Sequence, residues 1–170
     1  MAKVFLDPGD SFTLASNAEV VGSTGDETVL LQGGVEASSL SADIERVEFA
    51  GNAGDFQFLT VGTSVEVFDS NGNLAARFND VGNSPEVVFQ DGATNLSAPS
   101  TVGGSAQIGG TDIPTGSSGD DSAAQSVTPG TIDGDDTSSV DDGTTDPGTG
   151  QTFTLTADSS SVDEGDTITY

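Results

Sequence analysis

The chain predicts an all-β fold: a small solenoid- or sandwich-like β module, then a disordered acidic linker, then a truncated β segment. Three observations predict it. Short runs with apolar residues at alternate positions recur between Gly, Asp and Asn clusters, which is the pattern of strands with one buried face. Eight of the nine Phe lie in residues 1–98, and no aromatic residue occurs from Gln90 to Thr152. An Asn-Gly pair, Asn71-Gly72, separates two alternating runs. It predicts a type I′ hairpin turn, which needs positive φ at both central residues.

Taken in order, residues 4–6, 11–14, 18–21, 28–32, 46–50, 55–61, 64–69, 74–79 and 86–90 are the expected strands. Val65-Glu66-Val67-Phe68 and Phe56-Gln57-Phe58-Leu59 carry the alternation most plainly. One helical turn is expected over 40–44. Large apolar side chains then run out, so a core of about 90–95 residues is expected, near the small end of what folds alone. Residues 99–150 are dominated by Ser, Thr, Gly, Asp and Pro and hold nine acids and no base. Such a segment cannot bury enough apolar surface to offset chain entropy and is expected to be a disordered linker. Residues 151–170 change character again. Phe153-Thr154-Leu155-Thr156-Ala157 alternates like a strand, a turn follows, and a second strand begins before Tyr170. Two strands make no stable sheet alone, so this is expected to be the start of an incomplete domain.

Charge narrows the function. The chain has 28 acids against three bases, Lys3, Arg46 and Arg77, for a formal charge of −25. Like charges repel as a chain compacts, and Ca²⁺ with oxygen ligands is the simplest remedy. Nucleic acid is not an expected partner, because phosphate binding needs clustered Lys and Arg. Nor is membrane insertion, because no apolar run approaches about 20 residues. The apolar stretch after Met1 is too short for a signal peptide. His and Cys are both absent, which removes the usual acid–base and nucleophilic groups. Paired carboxylates could cleave a glycoside, but a sugar cleft is normally lined with Trp or Tyr, and the chain has no Trp and one Tyr. The chain is therefore expected not to be an enzyme.

Candidate metal ligands follow from oxygen side chains in turns. Asp69-Ser70-Asn71-Gly72-Asn73 carries them at alternating positions, like the opening of a Ca²⁺ loop. The same residues also read as a plain hairpin turn, since Asn and Gly favour turns without any metal. Gly25-Asp26-Glu27 and Gly54-Asp55 present the same two readings.

Three stretches resemble known families. Gly22-Ser23-Thr24-Gly25-Asp26-Glu27-Thr28-Val29-Leu30 resembles the repeats-in-toxin nonapeptide, with Ser23 at its second Gly and Glu27 at its Asp. Gly51-Asn52-Ala53-Gly54-Asp55-Phe56-Gln57-Phe58-Leu59 is a second, looser copy. The resemblance implies Ca²⁺ held between successive turns, with Asp26, Glu27 and Asp55 as ligands. More broadly, residues 3–96 are similar to an N-terminal β module of large secreted bacterial proteins of the repeats-in-toxin, adhesin and S-layer type. The stretches that carry this likeness are Ile44-Glu45-Arg46-Val47-Glu48-Phe49, Val65 to Ala76, and Val88-Phe89-Gln90-Asp91-Gly92. Finally, Phe153 to Ala157 with Ser161-Val162-Asp163-Glu164-Gly165-Asp166 resembles the first strands of Calx-β and related immunoglobulin-like repeats. There Glu164 would lie near an inter-domain Ca²⁺ site.

These readings give a non-catalytic structural or adhesive module of a secreted, calcium-stabilised bacterial surface protein, with self-association a further expectation. The alternative is a carbohydrate- or protein-binding module of an extracellular protein. An exposed aromatic patch near Phe56, Phe58 or Phe68 would favour the alternative. A self-pairing edge strand would favour the structural reading.

Overall fold

The computed structural model describes residues 1–98 and 103–126. They form thirteen strands and one 3-10 turn at Ala53–Asp55. The strands are β1 (Ala2–Phe5), β2 (Ser11–Leu14), β3 (Ala18–Val21), β4 (Thr28–Leu31), β5 (Ser38–Leu40), β6 (Arg46–Phe49) and β7 (Gln57–Val61). After them come β8 (Ser64–Phe68), β9 (Leu74–Phe78), β10 (Glu86–Phe89), β11 (Gly92–Ser97), β12 (Gln107–Ile108) and β13 (Thr111–Asp112). No helix among the described residues is long and apolar enough to cross a membrane.

Two sheets share one apolar core. The first has the order β1-β3-β5-β9-β8-β7, the second β13-β12-β11-β10-β6-β4-β2. Within them β1, β3, β5 and β9 are mutually parallel, as are β2, β4, β6 and β10. The chain thus passes through one strand of each sheet and returns one strand further on. Each such pair is a rung of a two-sheet solenoid: β1–β2, β3–β4, β5–β6 and β9–β10. Both expected architectures occur together, because the parallel rungs are a solenoid whose two sheets then continue as an antiparallel sandwich. The β7–β8 hairpin extends the first sheet beyond β9, and β11 to β13 extend the second beyond β10.

Register explains the core. Parallel, in-register stacking places like positions of successive rungs above one another, about 4.8 Å apart. Val29 pairs with Val47, and Val47 with Val87. Leu31 pairs with Phe49, whose ring stacks on Phe89 at 5.7 Å between centroids. In the first sheet Val4, Val20, Leu40 and Phe78 form a similar column. Phe49, Phe56, Phe58 and Phe89 make one aromatic cluster where solenoid and sandwich meet. Fully burying each such side chain contributes about 1.5–3 kcal/mol.

All nine expected strands have a counterpart, and the differences are local. Residues 40–44 do not form a helical turn. Ser38–Leu40 is strand β5, because pairing with β3 and β9 satisfies its backbone and buries Leu40. The strand expected from residue 55 starts at Gln57, after the 3-10 turn. The hairpin at Asn71-Gly72 forms, but only Gly72 has positive φ. Gly72 N–H bonds Asp69 C=O at 3.0 Å, and Asp69 N–H bonds Asn73 C=O at 2.9 Å. This is a three-residue loop with glycine in the left-handed position, not a type I′ turn.

The largest difference lies after residue 98, where a linker was expected. Strands β12 and β13 fall there, and Ala106, Ile108 and Ile113 are fully buried in the main core. Residues 114–125 then run along β7, where Thr60 N–H bonds Pro114 C=O and Phe58 exchanges two backbone bonds with Gln125. Ala123 and Ala124 cover Leu59 and Phe68 on the outer face of the first sheet. Small residues suffice here because the β7–β9 hairpins already supply the bulk. The remainder of the expected linker, 127–150, and the expected incomplete repeat at 151–170 lie outside the described residues.

Candidate cation site between two rungs

Each rung enters its second-sheet strand through a tight turn, and the residue before that strand is acidic in three rungs. Thr28 N–H bonds Asp10 C=O, Arg46 N–H bonds Glu27 C=O, and Glu86 N–H bonds Glu45 C=O, at 2.9, 3.1 and 2.7 Å. Asp10, Glu27, Glu45 and Pro85 therefore occupy equivalent positions of successive rungs. The turns press closely on one another. A Cβ at Gly25 would lie 2.6 Å from Pro8 Cβ in the turn before it, and one at Gly22 would lie 2.5 Å from Asp43 C=O in the turn after it. Those two glycines of the nonapeptide-like stretch are needed for stacking itself.

The three acids behave differently. Asp10 turns back on its own loop, where Oδ2 accepts from Asp7 N–H at 2.9 Å. Glu27 is fully buried. Its Oε1 accepts from Ser23 Oγ, while its Oε2 is buried with no hydrogen-bond partner. Glu45 lies beside it on the next rung, half-buried, and its Oε2 accepts from Glu27 N–H at 2.9 Å. Burial pushes the Glu45 carboxyl above its ordinary range. The N–H of Glu27 opposes that rise, and repulsion from the Glu27 carboxylate adds to it.

A buried acceptor without a donor is costly, by about 1–3 kcal/mol for a neutral group and more for a charged one. A second carboxylate nearby adds to that cost. The chain's bases do not relieve it. Lys3 pairs with Glu19, Arg46 with Glu48 and Glu86, and Arg77 with Glu66. Glu27, Glu45 and the Ser23 hydroxyl are hard oxygen donors, the chemistry that Ca²⁺ takes. Among the described residues no group of three or more acidic side chains converges on one point. Backbone carbonyls or water would complete a coordination shell.

The other expected ligands are placed apart from this pair or are already engaged. Asp26 is exposed at the surface of the same turn. Asp55 is exposed and closes the 3-10 turn, Oδ2 accepting from Asn52 N–H at 2.9 Å. Asp69 Oδ1 accepts from the N–H groups of Asn71 and Asn73, both at 2.8 Å. Its Oδ2 accepts from Asn73 Nδ2 at 3.1 Å and more weakly from Asn71 Nδ2 at 3.5 Å. Burial would raise the Asp69 carboxyl, but these donations, led by Asn73, outweigh it and hold the group below the ordinary carboxylate range. The loop's own amides do there what a cation would do, so the hairpin reading accounts for Asp69 and Asn71. Glu164 lies outside the described residues.

Glu45 was missing from the expected ligands. One signal in the sequence could have found it: Asp10-Ser11, Glu27-Thr28 and Glu45-Arg46 each place an acid just before a strand, at intervals of 17 and 18 residues. Compared with known proteins, the chain matches no family model, no curated protein and no solved structure.

Proposed function

We propose that the chain is a non-catalytic structural module of a secreted or cell-surface bacterial protein of the repeats-in-toxin, adhesin and S-layer type. In this reading Ca²⁺ ties its second and third rungs together. The observation that carries it is the buried, donorless Glu27 Oε2 beside the Glu45 carboxyl. Glu27, Glu45 and Ser23 would hold the ion. When bound, it supplies the positive charge that the surrounding bases do not.

Two further features support a structural role over a sugar-binding one. Phe56, Phe58 and Phe68 are all buried, so none offers a ring face on which a sugar could stack. Among the described residues the first rung leaves β1 and β2 as open sheet edges, with Phe5 70% exposed on β1. Open edges suit a protein that pairs with further strands.

Thermal melting with Ca²⁺ and with chelator tests the proposal. A ligand at a hundred times its dissociation constant stabilises by about 2.7 kcal/mol. In a domain of this size that is a shift of several degrees. Glu27→Gln should abolish the calcium response while leaving the calcium-free protein folded. Identical melting curves for the unsubstituted chain in calcium and in chelator would overturn the reading.

A further inference from the structure

The first rung ends the solenoid without a cap. Terminal repeats of a stacked fold normally present a polar outer face. Here Val4 and Phe12 pack against the core but are only partly buried. Met1 and Phe5 are the two large apolar side chains exposed among the described residues. Backbone groups are open along the same end. Leu6 N–H bonds Val21 C=O at 2.9 Å, so Lys3 and Phe5, at the alternate positions of β1, turn their N–H and C=O away from β3. Leu14 C=O accepts from Gln32 N–H at 3.1 Å, so Ser11 and Thr13 turn theirs away from β4. Sheet edges are commonly guarded by prolines or charges. Strands β1 and β2 contain no proline and no acid. Lys3, their one charge, is held by Glu19 at 2.7 Å and lies 5.4 Å from the Phe5 ring.

We propose that this end docks on the same end of a second copy of the chain, giving a closed head-to-head dimer about a two-fold axis. The inference rests on the structural reading above and not on its calcium ion. The two edges together choose the occupant. A partner must offer one strand edge to each sheet, at the separation of the sheets, with apolar side chains between them. The same end of a second copy has these by identity. A two-fold axis across the end reverses strand direction, so β1 meets β1 and β2 meets β2 antiparallel. In the register that exchanges the open groups, Lys3 stands opposite Phe5 of the second copy, and Ser11 opposite Thr13. Val4 then faces Val4 and Phe12 faces Phe12, at the closer, non-hydrogen-bonded positions, and the two cores become continuous. No like charges oppose one another, and a cation beside a ring and a Ser–Thr pair are favourable cross-strand neighbours. Growth stops at two copies. Head-to-tail stacking needs both edges at the far end, and there β7 is already paired by residues 114–125.

Sedimentation equilibrium of the full chain, with no tag at the N-terminus, checks this in calcium-containing buffer at about 10–500 μM, where a small interface shows itself. The mass should move from 17.0 kDa to twice that value as concentration rises. Amide exchange should slow with concentration at Lys3, Phe5, Ser11 and Thr13, and not at Val4 or Phe12, whose N–H groups already point to β3 and β4. Thr13→Pro removes an N–H that faces away from β4, a place where an edge strand tolerates proline. It should weaken the dimer at least about tenfold. Should that variant lose its fold, the exposed Phe5 gives a second test. Phe5→Lys sets lysine opposite lysine twice across the axis and should weaken the dimer by a similar factor. Phe5→Glu sets a carboxylate opposite Lys3 of the second copy and should keep it. Equal loss with both Phe5 substitutions would overturn the proposal. So would a mass that grows past two copies, as in a fibre, or a dimer untouched by Thr13→Pro and Phe5→Lys. A chain still monomeric at the highest concentration would also overturn it, and would leave this end to a segment of different sequence. Glu27→Gln should dimerise as the unsubstituted chain does, so failure of the calcium reading and failure here are told apart.

Discussion

The two ends of the molecule solve the problem of the sheet edge in opposite ways. At the N-terminal end, β1 and β2 are outermost in their sheets, with Phe5 and Met1 70% and 73% exposed. At the other end, β7 is outermost in the first sheet, yet residues 114–125 pair with its backbone and cover its outer face. All five residues of β8 are buried, Val65 and Val67 in the main core and Phe68 against the strap. Among the described residues nothing pairs with the outer edges of β1 and β2, whereas the sandwich end is closed by a strap. The strap is fastened at Glu66, fully buried, which accepts from Ser118 Oγ at 2.5 Å and Gly119 N–H at 2.8 Å and faces Arg77 across the strand pair. The difference teaches that a chain poor in large residues can still close a sheet, provided that the sheet already carries the bulk.

The comparison can be broken at the junction. Phe89→Ala removes a fully buried ring that touches Phe49, Phe56 and Phe58, at a cost of about 3–5 kcal/mol. Because the cluster belongs to both halves, circular dichroism and hydrogen exchange should report one cooperative unfolding. Survival of protected rungs with an unfolded sandwich would show that the two halves are independent.

A smaller effect separates strap from solenoid. Glu66→Ala leaves Ser118, Gly119 and Arg77 without their shared acceptor and should cost about 2–3 kcal/mol. Hydrogen exchange should accelerate over residues 114–125 and β7 while β3 to β6 stay protected. Uniform acceleration would mean that the strap is not a separate fastening.

The smallest effect has opposite sign in the two regions. The Glu45 carboxyl is raised in the folded rungs. It favours folding at pH below its unfolded value of about 4.5, and that contribution is lost as pH rises through the folded value. Asp69, in the hairpin, is lowered. Its contribution is present above its unfolded value near 3.8 and is lost as pH falls through the folded value. In calcium-free buffer, Glu45→Gln should therefore gain on the unsubstituted protein as pH rises from about 4.5 toward neutrality. Asp69→Asn should show its deficit near neutrality and lose it in acid. Parallel pH profiles for the two variants would remove the electrostatic distinction between the halves.

Much of the fold was legible because alternation is a local signal. Ser11–Leu14, Ala18–Val21 and Ser64–Phe68 announce themselves within four or five residues. Ser38–Leu40 and Gln107–Ile108 do not, because three or two residues show no period, and it is their neighbours that make them strands. The rungs themselves were hidden for a different reason. Parallel pairing at offsets of 16 to 20 residues is marked in the sequence only by the acid before β2, β4 and β6, and the last offsets jump to 38 between Ser38 and Ala76 and to 40 between Arg46 and Glu86. At the candidate site, Glu27 was visible through its glycine-rich context. Glu45 was not, because its importance comes from standing one rung above Glu27.

That jump to 38 residues has a consequence for how the chain could have grown. The β7–β8 hairpin sits wholly inside the connection from the third rung to the fourth, so β9 and β10 resume the stack as though nothing intervened. That connection runs over 24 residues, 50–73, against six, 32–37, between β4 and β5, and each doubling in length costs only about 0.6 kcal/mol more. The hairpin returns far more than that through Phe58, Val65 and Val67, all fully buried. The turn between those rungs is thus a port at which a repetitive scaffold can take in foreign sequence without losing count of its own repeats.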